Sequence, residues 1–258
     1  DFTGTDMSYA DFDHSQIQHA VLTDAIVHHT NFHDANLEGV DLSYKDLTGT
    51  ILTDTDLTDA NLVGVDLSGK DLTGTILKGA DLTDANLDGV ELKGRDLTGT
   101  ILKGVDLSGK DLTGTILKGA DLTDTKLPFI SLSEKDFQKT VFDELDLSGK
   151  DLSKSSLWHA SFKNTNLEDV TLFYADLMMT DLTMIKNKSL AGADLTHASF
   201  LLANLSGVNL SDVTLEGTNF LRMDLIGVDF TTTKPDGATF IYSDLTNSNF
   251  EGVSSKPY

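Results

Sequence analysis

The side chains of this chain that could do chemistry are histidines and carboxylates, because it holds 7 His and 41 Asp plus Glu but no Cys. Disulfides, thiolate metal sites and a sulfur nucleophile are therefore excluded. His14, His19, His28, His29 and His33 crowd into residues 1–44, which carry 8 acids and no Lys or Arg. His14 with Asp34, and Asp13 with His33, stand 20 residues apart. Imidazoles and carboxylates on adjacent rungs of a coil can converge on a metal. Solvated surface groups are the simpler reading, and partial protonation in a mildly acidic compartment is a third. The sequence has no Gly-rich phosphate loop, no G-x-S-x-G, no zinc pattern and no calcium-binding nonapeptide. No nucleophile can be matched to a base, so the expectation is a non-enzyme with no catalytic residue, cofactor or metal ligand to nominate.

What must position these groups is a period of five. Stepping from Phe2 by five gives 37 consecutive apolar residues through Leu182, and after a 3-residue insertion within 183–189 the series resumes at Leu190 and runs to Phe250 with only Pro235 breaking it. No heptad or helical period does this. Phenylalanines in the central position recur 20 apart: Phe12 with Phe32, Phe142 with Phe162, Phe230 with Phe250, and the trio Phe200, Phe220 and Phe240. That spacing predicts four units per coil, with like rings stacked on successive coils.

The residue two before each central one is mostly small (Ala10, Ala20, Ala35, Ala60, Val65, Ala80, Val90, Ala120), and the one between is mostly Asp or Asn. The unit A-[D/N]-L-[S/T/K]-[G/D] resembles the pentapeptide-repeat family across nearly the whole chain. The resemblance implies an all-β fold, a right-handed quadrilateral β-helix with the central and small residues inward. At ~4.8 Å per rung, about 12 coils would make a single elongated solenoid of roughly 60 Å. The expected organisation is a repeat domain over 1–250 with a small loop near 183–189, a turn-like distortion at Pro235, and a tail at 251–258. The chain opens on Asp1 without an evident cap, so either flanking sequence is missing or the ends meet something.

With 19 Lys plus Arg the formal net charge is -22, which argues against direct binding of nucleic acid or an anionic membrane. No apolar run approaches the ~18 residues of a membrane span, and no signal peptide is seen. The expected location is cytoplasmic, or a host cell reached without a classical signal peptide. Asp fills the slot before the central residue 22 times, so most of the charge is repeat grammar. Along the expected solenoid that is one carboxylate per ~2.7 Å, near the density of duplex DNA. The family includes quinolone-resistance proteins that mimic DNA on topoisomerases, so a DNA-mimic inhibitor or protector of gyrase is the alternative reading. Those relatives carry projecting loops and a helical C-terminal segment, and this sequence shows neither. Stacked acids repel, and the interleaved Asn61, Asn86 and Asn166 are expected to relieve part of that.

Two features depart from the grammar. Lys45, Lys70, Arg95, Lys110, Lys135 and Lys150 occupy the small-residue slot, where an inward ammonium is prohibitive, so these side chains must escape at corners or local bulges. From Lys70 upward they are expected to zigzag along one edge, either paired to framework Asp or forming a basic ridge for an acidic partner. The second departure lies in the two outward positions after the central residue. There Trp158, Met178, Leu201, Leu221 and Ile241 fall 20 apart once the insertion is counted, beside His159, Met179, Leu202, Arg222 and Tyr242, with Phe173 and Tyr174 on the adjoining face. An aligned outward stripe of Trp, Met, Tyr and Arg has interface composition. The leading expectation is a protein-binding scaffold or targeting module, of the kind bacterial effectors carry, that meets a protein partner or a second copy through this stripe.

Overall fold

In each five-residue unit the chain runs extended through the slot and central residues and then turns. The turn puts the second residue after the central one in the left-handed region, with φ of 58° at Asp54, 55° at Asp84 and 66° at Gly64. Asp, Asn and Gly tolerate that conformation best, so most units end in them. The turn closes when the next small residue donates its amide to the central carbonyl, as Ala35 does to Phe32 at 3.0 Å. The slot carboxylate supplies a second closure: Oδ1 of Asp66 and of Asp71 accepts the amide of Ser68 and of Thr73, each at 2.9 Å. This is an Asx turn, and it explains why Asp and Asn share the slot.

Four units complete a coil. Parallel bridges join residues 20 apart, including Asp6 with Ile26, Asn36 with Asp56 and Asp81 with Ile101, and 23 apart across the insertion, as in Thr171 with Asp194. The computed structural model describes residues 1–128 and 132–253, and the chain divides into two units, Asp1–Phe129 and Ile130–Tyr258. Each is all-β, a stack of square coils. Residues 254–258 of the expected tail lie outside the described residues.

Inside each unit the core is a column of central Leu and Phe. Leu37, Leu62, Phe142 and Phe200 are wholly buried. The ring stacks form as the spacing predicts: Phe142 lies 5.3 Å from Phe162, Phe220 lies 5.1 Å from Phe240, and Phe230 lies 4.5 Å from Phe250. Where the small slot holds Thr, the buried hydroxyl donates to a backbone carbonyl, either of the neighbouring coil, as Thr55 does to Phe32 and Thr165 to Phe142 at 2.7 Å each, or of its own turn, as Thr50 does to Leu47 at 2.7 Å. No donor is stranded there, which is what makes Thr interchangeable with Ala and Val.

The three extra residues make a short 3-10 turn, Lys186–Lys188, after Ile185 has taken the inward slot. Pro235 behaves otherwise than expected. It is buried in the central position and closes an ordinary turn with Ala238 N to Pro235 O at 2.9 Å. There is no distortion because that turn uses only the proline carbonyl.

Candidate protein-binding surface

The slot carboxylates are committed to local structure. Hydroxyls and then amides two residues on hold the carboxyls of Asp6, Asp46, Asp71, Asp111 and Asp244 below the usual range. The hydroxyl and amide of Ser108, with the Lys126 ammonium 3.1 Å away, bring Asp106 down to about 2. Lys78, Lys93 and Lys103, just after central residues, pair with Asp96, Asp111 and Asp121. Asn61 is bridged between Asp41 and Asp81, and Asn86 beside Asp66, which separates like charges.

Four cations of the small slot, Lys45, Lys70, Arg95 and Lys110, end on backbone carbonyls. Lys45 Nζ donates to Ala25 O at 3.0 Å, Lys70 to Thr50 O at 3.4 Å, Lys110 to Val90 O at 3.2 Å, and Arg95 Nε to Glu91 O at 2.6 Å. Elsewhere the equivalent carbonyl receives an amide from the coil above, as Thr30 O does from Ile51. The long side chain cannot enter the column, so it parts two coils and its head takes over one acceptor. Among the described residues the ladder of bridges skips Asp46, Asp71 and Asp111, each next to such a lysine. A cavity of about 660 Å³ lined by Val21, Ile26, Tyr44 and Lys45 opens at the first of these places. Burial pulls the Lys70 ammonium below its ordinary value. Lys135 and Lys150 are also half-buried. The predicted edge residues in Asp1–Phe129 are thus partly sequestered.

The histidines form pairs. His14 Nδ1 meets the Asp34 carboxylate, His33 Nδ1 lies 2.9 Å from Thr53 Oγ1, and Tyr9 stacks on His29 at 4.8 Å. Among the described residues no group of three or more His, Asp or Glu is placed to hold a metal.

The apolar stripe lies wholly within Ile130–Tyr258, and it runs along a corner of the coils rather than a flat face, because both outward positions belong to the turn. Amide-to-carbonyl bonds from His159 to Met178, Met179 to Leu201 and Arg222 to Ile241 hold its rungs in register. The two columns differ in exposure. Met179, Leu202, Arg222 and Tyr242 stand exposed, Tyr242 at 81%, whereas Trp158, Met178, Leu201 and Leu221 are half-buried. Ile241 is exposed, Tyr174 is exposed and Phe173 half-buried. Trp158 Nε1 is buried without a hydrogen-bond partner. Lys139 lies over the Trp158 ring at 5.6 Å, and Arg222 over the Tyr242 ring at 5.9 Å. Met184 and Ile226 are exposed on the next corner, beyond the column of Asp181 and Asp224; scanning the same outward positions on that corner would have found them.

Among the described residues no helix is long and apolar enough to cross a membrane. Comparison with curated proteins gives no match. Among solved structures, trypsin-treated QnrB1, a plasmid-mediated fluoroquinolone resistance protein, is similar at 19% identity and a TM-score of 0.47, covering 71% of this chain and 89% of that one. HetL of the cyanobacterium Nostoc sp. strain PCC 7120, a pentapeptide repeat protein involved in heterocyst differentiation regulation, is similar at 25% identity and a TM-score of 0.21, covering 97% and 83%. A pentapeptide repeat protein of the Arabidopsis thaliana thylakoid lumen is similar at 27% identity and a TM-score of 0.21, covering 50% and 72%. The family model for pentapeptide repeats matches residues 30–69, 71–104, 96–127, 151–183, 186–212 and 203–234. With well over half its length so matched, the chain belongs to the pentapeptide-repeat family, whose members fold as right-handed quadrilateral β-helices.

Proposed function

We propose that this protein is a non-enzymatic scaffold that binds a protein partner through the corner stripe of Ile130–Tyr258. One observation carries the reading. Met179, Leu202, Arg222 and Tyr242 sit at φ of 57–60° on successive rungs of one corner, in a position that the repeat fills mainly with Gly, Asp or Asn and elsewhere with scattered Tyr, His, Glu or Lys. A bulky residue held there costs on the order of 1 kcal/mol. Exposed as they are, these side chains recover little of that within the fold. A partner that covers them would offset it.

The test is capture of a partner by the intact chain and by a variant carrying Met178→Asp and Leu221→Asp. Retained thermal unfolding with partner capture reduced at least about tenfold is expected, the scale of removing interface anchors. Capture that ignores both changes would reject the stripe. A gyrase supercoiling assay supplies the opposing arm: inhibition by the intact chain that survives these substitutions would favour the acid slots as the binding surface.

A further inference from the structure

The dimensions and chemistry around the stripe select what kind of segment it takes, and the following rests on the proposed role of the stripe in protein binding. Five rungs at ~4.8 Å make a strip about 20 Å long and two residues wide. That is a fraction of the ~800 Å² per partner that a stable globular interface buries, so a second copy or another globular domain has too little to hold. It matches one face of a helix of about 13 residues at 1.5 Å rise.

An extended peptide fits less well because half of the corner's amides are already spent. The amides of His159, Met179 and Arg222 are spent on the coil above, and those of Met178 and Leu221 on Oδ1 of Asp176 and Asn219 at 3.0 Å each. A strand laid on the apolar side chains would bury its own amides and carbonyls unpaired. A helix satisfies them internally.

Charge then fixes the flank. Just past the corner the bridged column Ser161, Asp181, Asn204, Asp224, Asp244 runs parallel to the stripe, while the column on its other side, Ser156, Asp176, Ser199, Asn219, Thr239, holds one acid. Asp181, Asp224 and Asp244 are exposed. Each spends Oδ1 on a turn amide, of Thr183, Ile226 and Thr246 at 2.9, 3.2 and 2.9 Å. The stripe's own cations, Lys139 and Arg222, lie over its rings, so the carboxylate column is the charged margin. We propose that the stripe docks an amphipathic helix of a partner protein, apolar on one face and carrying Lys or Arg on the flank that meets Asp181, Asp224 and Asp244. The carboxylates lie about two rungs and then one rung apart, which places the basic residues near i, i+7 and i+11 of that helix.

The probe is a synthetic peptide of about 14 residues with Leu on one face and Lys on one flank, titrated against the full chain by fluorescence anisotropy at low and raised salt. Leu202→Asp adds a carboxylate, so an association driven by charge alone would tighten; docking on the stripe should weaken about tenfold. Replacing Asp181, Asp224 and Asp244 together by Asn, which the same column already holds at Asn204, should keep the turns, weaken binding several-fold and flatten its salt dependence. Unchanged or tighter binding to the Leu202→Asp chain would overturn the proposal. So would equal, Leu202-dependent binding of a Glu-flanked peptide or of one interrupted by Pro, although the stripe would then stand as a binding surface for another class of segment. A dimer in sedimentation that Leu202→Asp disperses would replace the helix by a second copy. Thermal unfolding of each variant confirms that it is folded.

Discussion

An Asp in the slot before a central leucine does two jobs: it carries charge, and its Oδ1 closes the turn. The two can be separated at Asp106, which accepts the Ser108 amide at 2.9 Å and faces Lys126. Its carboxyl is depressed from 3.8 to about 2 in the folded chain. A depressed carboxyl contributes stability that is fully present above its unfolded value and disappears as pH falls through the folded one. Unfolding midpoints of the native chain and of Asp106→Asn should therefore differ at pH 5 and converge between about pH 4 and 2. Asp106→Ala, which also loses the turn bond, should lower the unfolding midpoint further than the Asn variant at every pH. A constant gap between native chain and Asn variant across that range would show that the charge contributes nothing. The Asp slot was legible in the sequence as grammar, but its reason was not, since period and composition do not say which amide a carboxylate reaches.

At the scale of the coil, the small slot accepts Ala, Val or Thr because each ends with no stranded polar atom, and it accepts Lys only by parting two coils. Lys70 stands between Thr50 and Val90, both buried in the equivalent slot, and its ammonium reaches Thr50 O only at 3.4 Å. Lys70→Val should let the coils close and stabilise the chain by about 1 kcal/mol, the scale of relieving an imperfectly paired polar group. A lower urea midpoint would mean that the ammonium-to-carbonyl bond outweighs the lost ladder. The parted places also bring Asp71, Glu91 and Asp111 one above another by the 20-residue period. The positions of these lysines were evident as exceptions to the repeat. Their destination on carbonyls was not, because escape from the column has several routes and only the gap above or below each lysine decides among them.

Over the whole molecule, 41 acids against 19 Lys plus Arg leave -22, and charges about one rung apart repel by roughly 1 kcal/mol even in water. Some of this is offset by Asn between Asp and by pairs such as Lys78 with Asp96 at 2.9 Å. The acids outnumber the bases twofold, so screening should help more than it harms. The melting temperature should rise between low salt and about 0.3 M, where the Debye length falls below 10 Å. A fall would show that the ion pairs dominate. The same imbalance would steer a basic segment toward the chain, and the apolar corner would then select it.

The sequence alone determined the coil. A five-residue period with an inward leucine and a left-handed turn residue encodes burial and turning locally, so four units per coil, the stacked phenylalanines and the aligned stripe could be read without coordinates. Tertiary structure decided everything that depends on which groups meet across rungs. It put the stripe on a corner, half-buried Trp158 and Leu221 while leaving Met179 and Leu202 exposed, turned Lys45, Lys70, Arg95 and Lys110 onto carbonyls, and set Asp181, Asp224 and Asp244 along one margin only. The physical reason is that the period fixes the direction of each side chain. What that side chain touches depends on neighbours 20 to 23 residues away and on how far the coils between them part.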